Sequence, residues 1–289
     1  MQILTAPAAM QQAALAWRRA GKRIGLVPTM GFLHEGHLSL VRLARQHADA
    51  VVLSLFVNPT QFGPAEDFGR YPRAFERDCA LCEAAGVDVI FHPEPEAMYP
   101  AGHSVFVVED ALSKGLCGGS RPGHFRGVLT VVAKLFNLTQ PDVAVFGQKD
   151  AQQARVIRQL ARDLNFPVAI VLAPIVREPE GLAMSSRNAY LSPAERCDAL
   201  CLSRALKAAR RLYRAGEREA GALRAAAEGE LAATPAARID YVALVDADTL
   251  QPVERAERPI LLALAAWIGK TRLIDNLGLP DDTLSNLPE

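Results

Sequence analysis

Hydrophobic positions along the first two-thirds of the chain fall into two alternating patterns. Short continuous apolar runs occur at 23–27, 50–58, 87–91, 142–146 and 168–176, and the first two meet Pro28 and Pro59. Such runs, rich in β-branched residues and bounded by Gly or Pro, suit strands buried on both faces. Between them lie stretches with helical spacing at 38–48, 74–85, 128–138 and 151–164. Strand and helix in alternation predict an α/β chain built on a doubly wound parallel sheet.

The pattern changes after about residue 175. Ser192-Pro193-Ala194-Glu195 joins a capping box to a proline at the first helical position. Helical patterns follow at 193–215 and 217–232, then strand-like runs at 239–245 and 260–268. This predicts a second, smaller α+β domain. The tail 280–289 offers little to bury and is expected to be loose. The first 23 residues read as an amphipathic helix, with no basic segment leading into an apolar one, so no secretory signal is expected. The longest apolar stretch, 260–268, is too short to span a bilayer.

Composition narrows the function classes. Half of the 289 residues are hydrophobic, enough for a sizeable core. Lys plus Arg and Asp plus Glu both number 32. That balance argues against a general nucleic-acid or anionic-membrane partner, since both need a basic surface. Cys79, Cys82, Cys117, Cys197 and Cys201 are odd in number and scattered, which predicts buried or half-buried free thiols in a reducing cytosol. The Cys79–Cys82 pair lacks the second pair that a zinc site needs.

Ligands of open α/β sheets bind beyond the carboxyl ends of the strands, so the segments after each strand carry the candidate chemistry. After the first comes Met30-Gly31-Phe32-Leu33-His34-Glu35-Gly36-His37, then a helix. Glycines permit close backbone approach, and a helix N-terminus suits phosphate. His34 and His37 can donate to phosphate oxygens, although alone the pair fits ordinary surface histidines as well. Its spacing is not that of the HExxH zinc motif. Gln61 follows the second strand and suits a hydroxyl or carboxylate, or an ordinary polar loop. The segment 118–127 gathers Arg121, His124, Arg126 and four glycines, which predicts anion binding or a subunit contact, with a plain loop as the alternative. Gly147-Gln148-Lys149-Asp150 follows the fourth strand, with Lys149 placed for an anion and Asp150 and Gln153 placed for helix capping. Met184-Ser185-Ser186-Arg187 follows the fifth and suits polyphosphate, or a polar inter-domain loop equally well. Asp78 is expected to be an exposed helix carboxylate, with a metal contact as the alternative. Gly269-Lys270-Thr271 lacks the earlier glycine of a phosphate-binding loop, because position 264 is Leu264.

The segments VPTMGFLHEGH, SLFVNPTQF, RYPR, SRPGHFRG, VFGQKDAQQ, MSSRNAYLS and AAWIGKTRLIDN together resemble, in order, the signatures of the AMP-forming pantoate–β-alanine ligases, the pantothenate synthetase family. The resemblance runs from about residue 22 to 276 and places the chain in the wider nucleotidyltransferase superfamily. It implies a Rossmann-like ATP- and pantoate-binding domain over 1–175 and a lid domain over 176–289. It also implies a cytoplasmic homodimer, ATP used with Mg²⁺, and pantoate and β-alanine as co-substrates. Met30, Gly31, Phe32, Leu33, His34, Glu35, Gly36 and His37 would contact ATP. Gly147, Gln148, Lys149 and Asp150 would join them, as would Val176, Met184, Ser185, Ser186 and Arg187. His34, His37 and Lys149 would be catalytic. Gln61 and Gln153 would bind pantoate, with Gln61 also near β-alanine. Mg²⁺ would be held mainly by phosphate and water, with its direct protein ligands unassigned. Gln148 stands where many members of the family have Glu, and Cys117 receives no role. A nucleotide-transferring enzyme of the same superfamily and a non-enzymatic nucleotide-binding module are the two competing readings of the residues.

Overall fold

The computed structural model describes residues 1–64 and 66–280. Its elements run β1 (Gln2–Leu4), α1 (Pro7–Arg19), β2 (Ile24–Thr29), α2 (Glu35–His47), β3 (Ala50–Leu55), α3 (Phe75–Ala84), β4 (Val89–Phe91), α4 (Pro95–Met98), α5 (Leu116–Ser120), α6 (His124–Thr139), β5 (Val143–Gly147), α7 (Ala151–Asp163), β6 (Ala169–Ala173), α8 (Pro193–Arg214), α9 (Ala220–Ala232), β7 (Ala237–Asp246), β8 (Ile260–Ile268) and β9 (Thr271–Leu279). Short 3-10 turns lie at Pro59–Gln61, Phe68–Arg70, Gln148–Asp150 and Ser186–Tyr190.

The chain divides into two compact units. The first comprises Met1–Ser113, Arg121–Gly147 and Gln153–Ala173, and the second comprises Lys114–Ser120, Gln148–Gln152 and everything from Pro174 on.

The first unit holds a six-stranded parallel sheet in the order β1-β4-β3-β2-β5-β6. All six residues of β3 are buried, as are five of the six of β2. Central parallel strands need apolar side chains on both faces, which is why these runs read as continuous rather than alternating. Register is set partly by three aspartates at strand entrances. Asp49 accepts from the Arg23 N–H at 2.8 Å, Asp88 from Val51 at 2.7 Å and Asp142 from Ile24 at 2.7 Å. Each carboxylate thereby ties the start of its own strand to that of a neighbour. The strand order reverses between β2 and β5, so the switch-point crevice of this sheet lies beyond Thr29 and Gly147.

The second unit pairs α8 and α9 with the antiparallel sheet β7-β8-β9. The capping box at α8 forms as predicted. Ser192 Oγ accepts from the Glu195 N–H at 3.3 Å, and Glu195 Oε2 accepts from the Ser192 N–H at 2.9 Å. Ala199, Leu202, Leu206, Leu223, Leu262 and Leu264 share one apolar core here.

Several expectations need correction. The first residues are not all helix: Gln2–Leu4 add a strand beside β4. The last third contains a further strand, β9, whose charged and polar positions hid it. Cys197 is exposed, whereas Cys82, Cys117 and Cys201 are buried and Cys79 half-buried. Of the tail 280–289 expected to be loose, all but Pro280 lies outside the described residues. No helix among the described residues is long and apolar enough to cross a membrane.

Candidate active site

The loop after β2 is anchored at almost every step. Gly31 and then Phe32 adopt positive φ (86° and 52°), a conformation that is easy for glycine and costly for phenylalanine. The compensation comes from Asp78 on α3. Its carboxylate is fully buried and accepts from the Phe32 N–H at 2.7 Å and the Leu33 N–H at 2.8 Å. Thr29 Oγ1 accepts from the Gly31 N–H at 3.3 Å while donating to the Ser54 carbonyl at 2.8 Å. A side chain at Gly31 would also crowd Leu55 and Asp78, at 3.1 and 3.2 Å from a Cβ. Asp78 is therefore not an exposed carboxylate. Buried, it fixes the loop through two backbone N–H groups.

That loop delivers His34 and His37 to the start of α2. The His34 N–H donates to His37 Nδ1 at 3.3 Å, and the two rings lie 4.0 Å apart, tilted by 37°. With Nδ1 accepting from this N–H, Nε2 is the ring nitrogen that carries a proton. Glu35 and Gly36 open α2, so neither N–H has a carbonyl four residues back within the helix. Imidazole and open N–H groups thus sit at the positive end of the helix dipole. Glu35 itself is exposed and paired with Arg42, and Leu33 is fully buried.

Gln61 is set by a second, independent network. Asn58, almost fully buried, donates to Gln61 Oε1 at 3.0 Å and to the Gly127 carbonyl at 3.1 Å. Its Oδ1 accepts from Tyr99 Oη at 2.8 Å and Thr60 Oγ1 at 2.9 Å. Gln61 Nε2 reaches Met30 Sδ at 3.2 Å, which brings the loops after β2 and β3 together. Burial raises the Tyr99 phenol, keeping it in the neutral form that donates to Asn58.

Arg121 and His124 of the basic segment are engaged within the chain, while Arg126 is exposed. Arg121 forms a two-pronged ion pair with Glu66, Nε to Oε1 at 2.7 Å and Nη2 to Oε2 at 2.8 Å. Its Nη1 meets His124 Nε2 at 3.0 Å, and His124 Nδ1 meets the Gln61 carbonyl at 2.9 Å. Burial pushes the Glu66 carboxyl up, but hydrogen bonds and charge from Arg121 outweigh it and hold the group below the ordinary carboxylate value. Arg121 is thus paired with a residue 55 positions away in sequence. Arg126 stacks over Phe106, 3.4 Å from the ring centroid.

The remaining candidates are divided between the two units. Lys149 is half-buried and Asp150 exposed, both in the 3-10 turn Gln148–Asp150 that runs into α7. Gln153, half-buried, belongs to the first unit with Gly147. The Val176 carbonyl accepts from the Met184 N–H at 3.0 Å, closing a hairpin. Ser185 caps the next 3-10 turn by accepting from the Arg187 N–H at 3.3 Å, and Ser186 is buried. Among the described residues no group of three or more His, Cys, Asp or Glu side chains could hold a metal ion.

The family model for pantoate-beta-alanine ligase matches residues 2–278. The chain belongs to the pantoate–β-alanine ligase family. Curated relatives named pantothenate synthetase include that of Moorella thermoacetica, 59% identical over 96% of this chain and 99% of the relative. That of Geobacter sulfurreducens is 56% identical over 98% of this chain and all of the relative. Among solved structures, a Thermus thermophilus pantothenate synthetase matches with a TM-score of 0.91 and 47% identity, covering 96% of this chain and 99% of that one. A pantoate-beta-alanine ligase from Francisella tularensis, described as complexed with beta-gamma ATP and beta-alanine, matches with a TM-score of 0.77 and 33% identity over 96% of this chain and 97% of its own.

The ligands of this site that the sequence offered were the residues after strands. Their anchors were not visible in it. Asp78 and Tyr99 announce themselves by no motif, because each works on a segment distant in sequence. Asn58 had one signal: it stands immediately before Pro59 and the 3-10 turn that carries Gln61.

Proposed function

We propose that this chain condenses pantoate with β-alanine at the expense of ATP, giving pantothenate, AMP and pyrophosphate through a pantoyl adenylate. The observation that carries the reading is the anchored His34/His37 pair at the open end of α2, in a chain whose family match spans residues 2–278. ATP and β-alanine are the ligands named for the Francisella relative.

In the first step a pantoate carboxylate oxygen attacks the α-phosphorus of ATP, and the bond to the bridging oxygen breaks as pyrophosphate leaves. The protein's part is placement and charge neutralisation. His37, with its proton on Nε2, donates toward the phosphate oxygens, and His34 and the first N–H groups of α2 reinforce it. Lys149 spans phosphate and the pantoate carboxylate. Gln61 and Gln153 hold pantoate by its hydroxyl and carboxylate groups. Gly147 and Asp150 hold the ribose, Val176 meets adenine through its backbone, and Ser185, Ser186 and Arg187 take the phosphates, with Met184 and Gln148 beside them. In the second step the β-alanine amine attacks the acyl carbon near Gln61, and AMP departs. Mg²⁺ enters with ATP, bound by phosphate and water. The enzyme works as a cytoplasmic homodimer of a nucleotide-binding domain and a lid domain.

The test is pantoate-dependent exchange of labelled pyrophosphate into ATP with β-alanine omitted. Exchange at a rate competent for overall turnover is expected. Folded, ATP-binding protein that makes pantothenate without such exchange would overturn the adenylate route.

A further inference from the structure

Strand β9 buries two polar residues in succession, Asp275 and Asn276, at 3% and 4% exposure. Neighbouring side chains of a strand point to opposite faces, so the pair serves both sides of the strand. β9 is an edge of its sheet, bonded only to β8. An apolar pair there would serve stability at least as well, because buried charge and amide groups bring a desolvation cost. The reason for keeping them lies in what they hold.

Asp275 grips Arg177 with both oxygens, Nη1 to Oδ2 at 2.6 Å and Nη2 to Oδ1 at 2.9 Å. Arg177 also donates to the Gly181 carbonyl at 3.0 Å, which ties both arms of the hairpin that begins at Val176. Asn276 works on the other segment. Its Nδ2 donates to the Gln148 carbonyl at 3.0 Å and the Lys149 carbonyl at 2.9 Å. Two carbonyl acceptors fix which end of the amide is nitrogen, since a flipped amide would set oxygen against oxygen. Asn276 Oδ1 is then buried with no hydrogen-bond partner among the described residues. An unsatisfied buried acceptor costs about 1–3 kcal/mol, so the orientation is retained against an opposing cost.

We infer that Asn276 is a positioning residue for the reaction, holding the turn Gln148–Asp150 so that Lys149 stands at a fixed height above it. The inference rests on the role given to Lys149 above. Asn276 touches no reacting atom. It acts by clamping consecutive carbonyls on either side of the Lys149 backbone nitrogen, which leaves the lysine side chain as the turn's movable part. Asp275 performs the parallel service for the segment beginning at Val176, so one strand sets two of the proposed ATP-contacting segments.

The test is a double-mutant cycle on the full-length enzyme with Asn276→Asp and Lys149→Met. Asn276→Asp keeps the shape and replaces both donors with an acceptor that repels the two carbonyls. A displacement of about 1 Å at a catalytic group lowers turnover by roughly 10²-fold. The expected result is a fall of that order in pantoate-dependent pyrophosphate exchange, with folding intact by circular dichroism. In the Lys149→Met background the same substitution is expected to change the residual rate less than about threefold, because both act through one group. If Asn276→Asp does not fold, Asn276→Ala, which removes the donors without introducing repulsion, takes its place in the cycle. Near-normal exchange in the Asn276 variant beside a disabled Lys149→Met overturns the positioning role and leaves the proposed function standing. Equal, multiplicative losses in both backgrounds also overturn it, since they mark a general structural effect. Near-normal exchange in Lys149→Met overturns the role of the lysine itself, and the inference falls with it.

Discussion

Replacing Gly127 with alanine probes how tightly Gln61 is placed. Gly127 lies in the first turn of α6, and a Cβ built there stands 2.3 Å from the Thr60 carbonyl oxygen, 2.5 Å from its carbon and 2.6 Å from Gln61 Cα. All three are backbone atoms and cannot rotate aside. Ordinary contact needs roughly 3.5 Å, so α6 and the Pro59–Gln61 turn must part by about 1 Å. Overpacking of this kind costs about 1–3 kcal/mol. At about 2–4 °C per kcal/mol for a chain of this size, the melting point should fall by several degrees. The Gly127 carbonyl also accepts from Asn58, so the hydrogen bond that orients Gln61 moves with the helix. The expected outcome is a loss of roughly 10²-fold in kcat/KM for pantoate, while ATP binding by calorimetry stays near normal. Exchange kinetics at varied pantoate, with melting curves alongside, measure both. An unchanged melting point together with an unchanged pantoate dependence would refute the close approach and the placement of Gln61 that depends on it.

Other perturbations address the remaining anchors. Asp78→Asn removes a carboxylate that holds two buried N–H groups; charge-assisted bonds of this kind contribute about 1.5–3 kcal/mol each. The variant should melt several degrees lower and show a raised KM for ATP, and an unaltered KM would reject the anchoring role. His37→Ala should slow pyrophosphate exchange by orders of magnitude, roughly 10²–10³-fold, with little change in melting point; near-normal exchange would dismiss it as a phosphate donor. Glu66 has a folded-state value held below the ordinary one, so its contribution to stability is present at neutral pH and is lost as pH falls through that depressed value. Glu66→Gln should therefore melt below the wild type at pH 7, and the difference should close below about pH 4. A difference that persists undiminished at pH 3 would show that the ion pair is not its source.

The parallel sheet was legible in its central strands, which are buried on both faces and so read as continuous apolar runs. β9 was not legible, since Arg272, Asp275 and Asn276 break the apolar run, and their partners Asp240, Arg177 and the Gln148–Lys149 backbone lie far off in sequence. β1 is three residues long, below the length at which periodicity carries information. The histidine pair could be found from its place after β2. Asp78 was misjudged for a physical reason: a carboxylate in a helical pattern with charged neighbours looks solvated unless the loop it holds is known. The Arg121–Glu66 pair was hidden in the same way, since its two members lie on loops distant in sequence.

The strand order has a consequence for how this enzyme comes into being. β2 and β5 flank the crevice, and the Ile24–Asp142 bond that starts their pairing joins residues 118 positions apart. Contacts of such separation form slowly, because the intervening loop must be closed before they contribute. A nascent chain that has not yet reached Val143 has the histidine pair but no neighbouring wall for it. On the ribosome, then, the crevice arises late and in one step with the central pairing. A destabilising change in either strand would delay the appearance of activity as well as lower the final amount of folded enzyme.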